Sequence, residues 1–308
     1  MLVSGALSLT PSAAGGGVWY GGRGVFGGGH ISGGAKVTTI DYITIATTGN
    51  DIDFGDLTVG RSTLASCSDG TKGVWGGGTT GSNQNTIDYI TIATLGNAID
   101  FGDLTVARRG LTACSDGTKG VWGGGYDGSV ANYIDYITIS TTGNAIDFGD
   151  LTAARFVPAA CSDSTTGVFG GGWTTPDNTM NTLDYITIST TSNATDFGDL
   201  TVSRYSLSAC SDATRGLFSG GYNGSARENT IDYITIATTG NAIDFGDLTI
   251  SVDLLASCSD GTTGIFGGGG LPSQTNVISY VTIQTTGNAI DFGDLTQSRE
   301  SPAACSGD

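Results

Sequence analysis

Short apolar runs alternate with polar, glycine-rich stretches along the whole chain, and none keeps a helical period. The stretch from Leu111 to Leu151 shows the arrangement in full. It holds a small-residue run (Leu111–Asp116), an apolar run ending in glycines (Gly120–Gly124), an alternating Ile/Thr run (Tyr133–Thr141) and a fourth run (Ala145–Leu151). β-Branched residues at period two suit a pleated surface, so these runs predict strands. Asp-Gly-Thr-Lys, a polar stretch of variable length and Thr-Thr-Gly-Asn separate them as turns. The unit therefore predicts four short antiparallel strands.

That unit recurs. Asp-Phe-Gly-Asp-Leu-Thr starts at 53, 100, 147, 196, 244 and 291, in step with Cys-Ser at 67, 114, 161, 210, 258 and 305. Four strands repeated six times predict an all-β fold, a six-bladed β-propeller with four antiparallel strands per blade. Three aromatics recur in each unit, such as Trp122, Tyr136 and Phe148, and are expected to form layers between blades. No Cys-Ser strand precedes Gly24–Gly28, whereas a spare one follows the last unit at Pro302–Ser306. Closure is thus expected from the C-terminal strand joining blade 1, which removes an open edge. Residues 23–308 form the propeller on this reading, and residues 1–22 an N-terminal extension, an arm or an anchor. Within it Val18-Trp19-Tyr20 could compete for the same inner slot.

The net charge of −17 disfavours nucleic acid and anionic membranes as partners. No apolar run is long enough for membrane insertion, and the start does not resemble a secretory leader. The six Cys recur one per unit among small residues, a pattern expected of free buried thiols rather than bridges. His30 is the only His and no C-x-x-C occurs, so neither a metal nor a cofactor is expected. The glycine motif at Gly22–Gly27 lacks the following helix that a dinucleotide site needs. The Asp-Phe-Gly triplets, copied six times, read as architecture rather than as a kinase loop. Repeated acids such as Asp147 and Asp150 are expected to cap turns in preference to holding calcium.

Strand parity sorts the connections onto two faces. Turns between first and second strands, and between third and fourth, barely change from unit to unit. The loops between second and third strands, and the links between units, change every time. All individuality falls on one face. Six aromatics outside the repeated layers sit there: Tyr126, Tyr133, Phe156, Trp173, Tyr205 and Tyr222, rimmed by Arg109 and Arg227. Aromatic clusters with arginines suit protein hot spots or sugar stacking. The same residues could instead lean on neighbouring loops and close the top of the ring, Tyr133 above all. No catalytic residue is expected. An alternative is a glycan-active enzyme using Asp127, Asp177 and Glu228 on that face.

Two resemblances add to this. Gly73-Val-Trp-Gly-Gly-Gly78, a Tyr in the third strand, and Asp103-Leu-Thr-Val-Ala-Arg108 resemble the kelch repeat, with Phe where the fourth-strand region of kelch carries Trp. That resemblance implies a propeller and allows a protein–protein adaptor. The wording Ile-Asp-Tyr-Ile-Thr-Ile-Ala-Thr-Thr-Gly-Asn, with Asp-Phe-Gly-Asp-Leu-Thr and Ala-Cys-Ser-Asp, is similar to repeats in structural proteins of marine tailed bacteriophages. It implies a virion protein of the phage tail, whose partners are other virion proteins or a host-surface ligand, protein or glycan. The alternative location is that of a soluble cytoplasmic or extracellular protein.

Overall fold

The computed structural model describes residues 20–176, 178–270 and 272–307. They form six four-stranded antiparallel sheets and one two-stranded hairpin, with no helix. Each four-stranded sheet is one blade of a closed propeller. In blade 3 the strands run, from inside out, Thr112–Ser115, Lys119–Gly123, Tyr133–Thr138 and Ile146–Asp150. The third strand stops short of Thr141 because the chain already turns at Ile139, with the Thr141 N–H donating back to Thr138 O at 3.1 Å. Blade 1 receives its inner strand from the C-terminus: Ala303–Gly307 pairs with Arg23–Gly27, placing Cys305 opposite Val25. Tyr20 does not compete for that slot. Its ring lies over Gly261, where a Cβ would meet it at 2.6 Å. Val18 and Trp19 lie outside the described residues.

Apolar burial sits between blades. Val74 and Ile87 of blade 2 pack with Trp122 and Ile137 of blade 3, and equivalent clusters repeat around the ring. The second-strand rings are buried completely or nearly so, as Trp75, Trp122 and Phe169 show; each such ring stabilises by ~1.5–3 kcal/mol. The third-strand tyrosines are only half-buried. Tyr89 stands edge-on to Phe101 at 5.8 Å, and Lys72 covers its ring at 5.2 Å.

Repeated polar contacts then tie each blade to the next. Every inner-strand Cys fills a niche above a second-strand glycine of the following blade; a Cβ on Gly120 would meet Cys67 Sγ at 2.6 Å. All six thiols are free and buried, and burial pushes the thiol of Cys67 well up. The adjoining serines form a closed circle, each hydroxyl donating to the serine carbonyl of the blade before, from Ser115 to Ser68 and finally from Ser68 to Ser306. At the circumference the Thr-Thr-Gly-Asn turn laps onto the preceding blade. Asn144 Oδ1 accepts the Asp103 N–H at 3.1 Å, and the Gly143 N–H donates to Phe101 O at 2.8 Å. These bonds cover the outer-strand edges.

The acids divide by role. Asp147 and Asp150 lie within an outer strand rather than in turns, which corrects the capping expectation for that pair. Capping belongs to the Asp after Cys-Ser: Asp116 Oδ1 accepts the N–H groups of Thr118 and Lys119 at 2.8 and 2.7 Å. Outer strands carry an Asp at both ends of each Asp-Phe-Gly-Asp tag, so much of the negative charge rides on the rim.

A further acid had no place in the sequence reading. The third-strand Asp of five blades is buried against an Arg from the preceding link: Arg61–Asp88, Arg108–Asp135, Arg155–Asp184, Arg204–Asp232 and Arg299–Asp41, at 2.7–2.9 Å. Each arginine also reaches strand carbonyls, as Arg108 does at Trp122 O (3.3 Å). Blade 6 has Val252 and Ser279 at the two positions, with Thr249 Oγ1 2.6 Å from Ser279 Oγ.

Candidate functional site

On the variable face, each inter-blade link pairs with the second-to-third loop of the blade it enters. The bridges are His30 with Glu300, Ser62 with Thr79, Arg109 with Tyr126, Phe156 with Trp173, Tyr205 with Tyr222, and Asp253 with Gly270. Six two-residue stations therefore surround the axis, and their side chains differ at every one. Inside them runs a second circle. The N–H of Gly110 donates to Thr63 O, Val157 to Gly110 O, Ser206 to Val157 O, Leu254 to Ser206 O, Ser301 to Leu254 O and Thr63 to Ser301 O, at 2.7–3.1 Å. All six residues have positive φ, from 48° to 61°, and five are not glycine. Such conformations cost ~1–3 kcal/mol each and persist only where the surroundings hold them. Here the hydrogen-bonded circle holds them, and it frames the mouth of a central channel walled by Ser66, Ala113, Ala160, Ala209, Ser257 and Ala304.

The expected residues fall into three groups. Tyr126 and Phe156 meet edge-on at 5.9 Å, with the Arg109 guanidinium 4.8 Å from the first ring and 5.9 Å from the second. Arg109 is steadied by Asn83 Oδ1 at 3.0 Å. Phe156 leans over Gly110, where a Cβ would strike its ring at 2.1 Å, so the glycine in the mouth circle makes room for it. Trp173 is the backbone partner of Phe156 and opens the hairpin Trp173–Thr174 with Asn178–Thr179. Tyr205 and Tyr222 form the second group, ring centres 5.6 Å apart, with Arg227 bridged to Tyr222 and bonded to Asp253 at 2.8 Å. Burial, then Tyr222, raises the Tyr205 hydroxyl. Tyr133 stands apart as the third. Its hydroxyl donates to Asp127, and its ring lies 5.3 Å from Arg108. Burial and that bond push Tyr133 up to about 12, while the same bond draws Asp127 down.

All eight side chains are half-buried. The rings support one another and still offer surface. Of the acids considered for glycan chemistry, Asp127 is engaged by Tyr133, Glu228 accepts from Asn223, and Asp177 lies outside the described residues. Sequence reasoning missed the opposite arc. Glu300 pairs with His30 at 2.7 Å, and Glu300 and Asp253 converge on Gly270, where a Cβ would lie 2.7 and 2.9 Å from their oxygens. Its only signal was that Gly270 lacks the side chain every other station has. The face thus joins an aromatic arc over blades 3 to 5 to a carboxylate arc over blades 6 and 1.

Among the described residues, no group of three or more His, Cys, Asp or Glu side chains could hold a metal ion, and no helix is long and apolar enough to cross a membrane. No family model matches this chain, and no curated protein matches it. The chain is a six-bladed β-propeller on its own geometry.

Proposed function

We propose that this propeller is a non-catalytic binding or scaffold protein that engages its partner through the variable face around the channel mouth. The observation carrying this is the set of six non-equivalent stations on an otherwise repeated frame, three of them aromatic and continuous over blades 3 to 5. The basic residues support the same face. Five arginines are buried in ion pairs. Arg23, Lys72, Lys119 and Arg215 reach backbone carbonyls of the next blade. Lys36, Arg109 and Arg227 remain, all in the variable loops and links. A partner approaching the acidic rim meets one sign of charge; on this face it meets rings and mixed charge.

The finer reading is a tail-associated structural or receptor-binding protein of a bacteriophage virion, docking another virion protein or a host-surface protein or glycan. Its support is the similarity of the repeat wording to marine phage structural proteins, with the kelch-like pattern accounting for the frame. Antibody against the chain should label the tails of purified phage particles. Replacing Trp173 and Tyr222 with Ala should weaken recovery of the protein on those particles at least about tenfold, with thermal stability kept. Absence from particles removes the virion reading; undiminished recovery of the variant removes the face.

A further inference from the structure

One carboxylate stands where the repeat has alanine. Asp51 occupies the position of Ala98, Ala145, Ala194, Ala242 and Ala289, and is only 7% exposed. It lies beside Asp41, the blade 1 member of the buried Arg–Asp series. In blade 3, Thr105 donates to Asp135 Oδ1 at 2.6 Å and Arg108 to Oδ2 at 2.7 Å, so both oxygens are used. Blades 4 and 5 share this division, and in blade 2 Thr58 bonds Asp88 Oδ1 while Arg61 lies 2.9 Å from Oδ2 as an ion pair. Blade 1 departs from it: Thr296 and Arg299 both bond Asp41 Oδ2, at 2.9 and 2.8 Å. Asp41 Oδ1 and both oxygens of Asp51 are buried without a well-aligned donor, although the Thr296 backbone N–H faces Asp51. Two adjoining buried carboxylates cannot both ionise at ordinary cost, and a proton on one supplies the donor the other lacks.

We propose that Asp51 holds a proton shared with Asp41, and that this pair makes the seam between blades 6 and 1 a pH-sensitive latch. The groups facing it are Arg299 and Thr296 from the link after blade 6, and Asp53 from the outer strand of blade 1. The Asp294 carbonyl of blade 6 accepts the Asp51 N–H at 3.1 Å. Arg299 is the one cation among them, against three carboxyl groups. Burial, then the charge of Asp41, pushes Asp51 up to about 7, and burial raises Asp41 as well. With the unfolded value at 3.8, the folded chain holds the extra proton between 3.8 and about 7. Stability therefore falls as pH rises through that window, opposite to an ordinary ion-paired carboxylate. The loss lands on Arg299, whose link leads directly into the C-terminal strand that closes the ring.

The test is urea unfolding of the full chain across about pH 4 to 8, with Asp51→Ala, the residue of the other five blades, and Asp51→Asn, which retains a donor. The wild type should lose stability with a slope approaching one proton, and both variants should lose most of that slope. Carboxyl-carbon NMR of Asp-labelled protein should show one aspartate titrating near neutrality in the wild type and none in Asp51→Ala. Equal slopes in all three proteins, or every aspartate titrating in the ordinary acid range, would overturn the proposal.

Discussion

The glycine of the Asp-Phe-Gly-Asp tag shows how much a single residue can be asked to do. Gly102 has φ +148°, and a Cβ there would lie 2.4 Å from Gly143 O, on the turn that laps over from the next blade. Gly143 has a similar φ of +158° with open space around it. Both positions strain an L-residue, but only the first also collides with backbone, which cannot step aside as a flexible side chain would. Gly102→Ala should therefore cost more than the ~1–3 kcal/mol of backbone strain alone, and Gly143→Ala should stay within it. Urea midpoints of the two variants decide the matter; equal losses would mean that the lapped turn yields freely. Sixfold copying marked the tag as structural, yet the role of its glycine was out of reach. The atom it avoids belongs to another blade, and nothing local in the sequence announces that approach.

Among elements, the link and the third strand of each blade behave as one unit. Arg108 and Asp135 are both fully buried, so removing the arginine leaves an uncompensated charge. Arg108→Met should cost ~3–5 kcal/mol, whereas replacing both members by apolar residues of like volume should cost far less. Blade 6 already lacks both charges, with the neutral Val252 and Ser279 at the two positions. Installing Val252→Arg or Ser279→Asp alone should destabilise, and the two together should recover much of the loss. A double-mutant cycle by chemical denaturation would show coupling of at least about 1 kcal/mol, and additive losses would deny that the positions act as a pair. This unit was partly legible beforehand. Strand number, order and closure followed from spacing alone, because each strand is short and bounded by glycine or asparagine turns. The pairing was visible only as a joint absence, Arg and Asp missing from the same repeat, and that clue has meaning once the link is known to fold back over the strand. The aromatic stations of blades 3 to 5 were found because they break the repeat. The Asp253 and Glu300 arc escaped because those residues come from different links and meet only at Gly270.

At the scale of the whole molecule, stability depends on closing a circle, and the C-terminal strand is where it closes. Ala303–Gly307 contributes to several inter-blade devices at once. It pairs with Arg23–Gly27, and Ala303 O accepts the Trp75 indole N–H at 3.3 Å. Cys305 fills the niche over Gly73, and Ser306 completes the hydroxyl circle by accepting from Ser68 and donating to Ser259. Every other inner strand runs through a short turn into the second strand it pairs with, whereas this one pairs with a strand from the opposite end of the described chain. Removing residues 302–308 should expose an inner edge on blade 1 and strip one face from the neighbouring core of blade 2. Hydrogen exchange should then rise first in Arg23–Gly27 and Lys72–Gly76, and less in Arg215–Ser219 on the far side of the ring, since contacts in such arrays pass mainly between neighbours. A synthetic peptide of residues 301–308 added to the truncated chain should restore protection, because the edge it fills is otherwise intact. Uniform loss of protection in all blades would show instead that the six sheets open as one cooperative unit, with the closing strand no weaker than the rest.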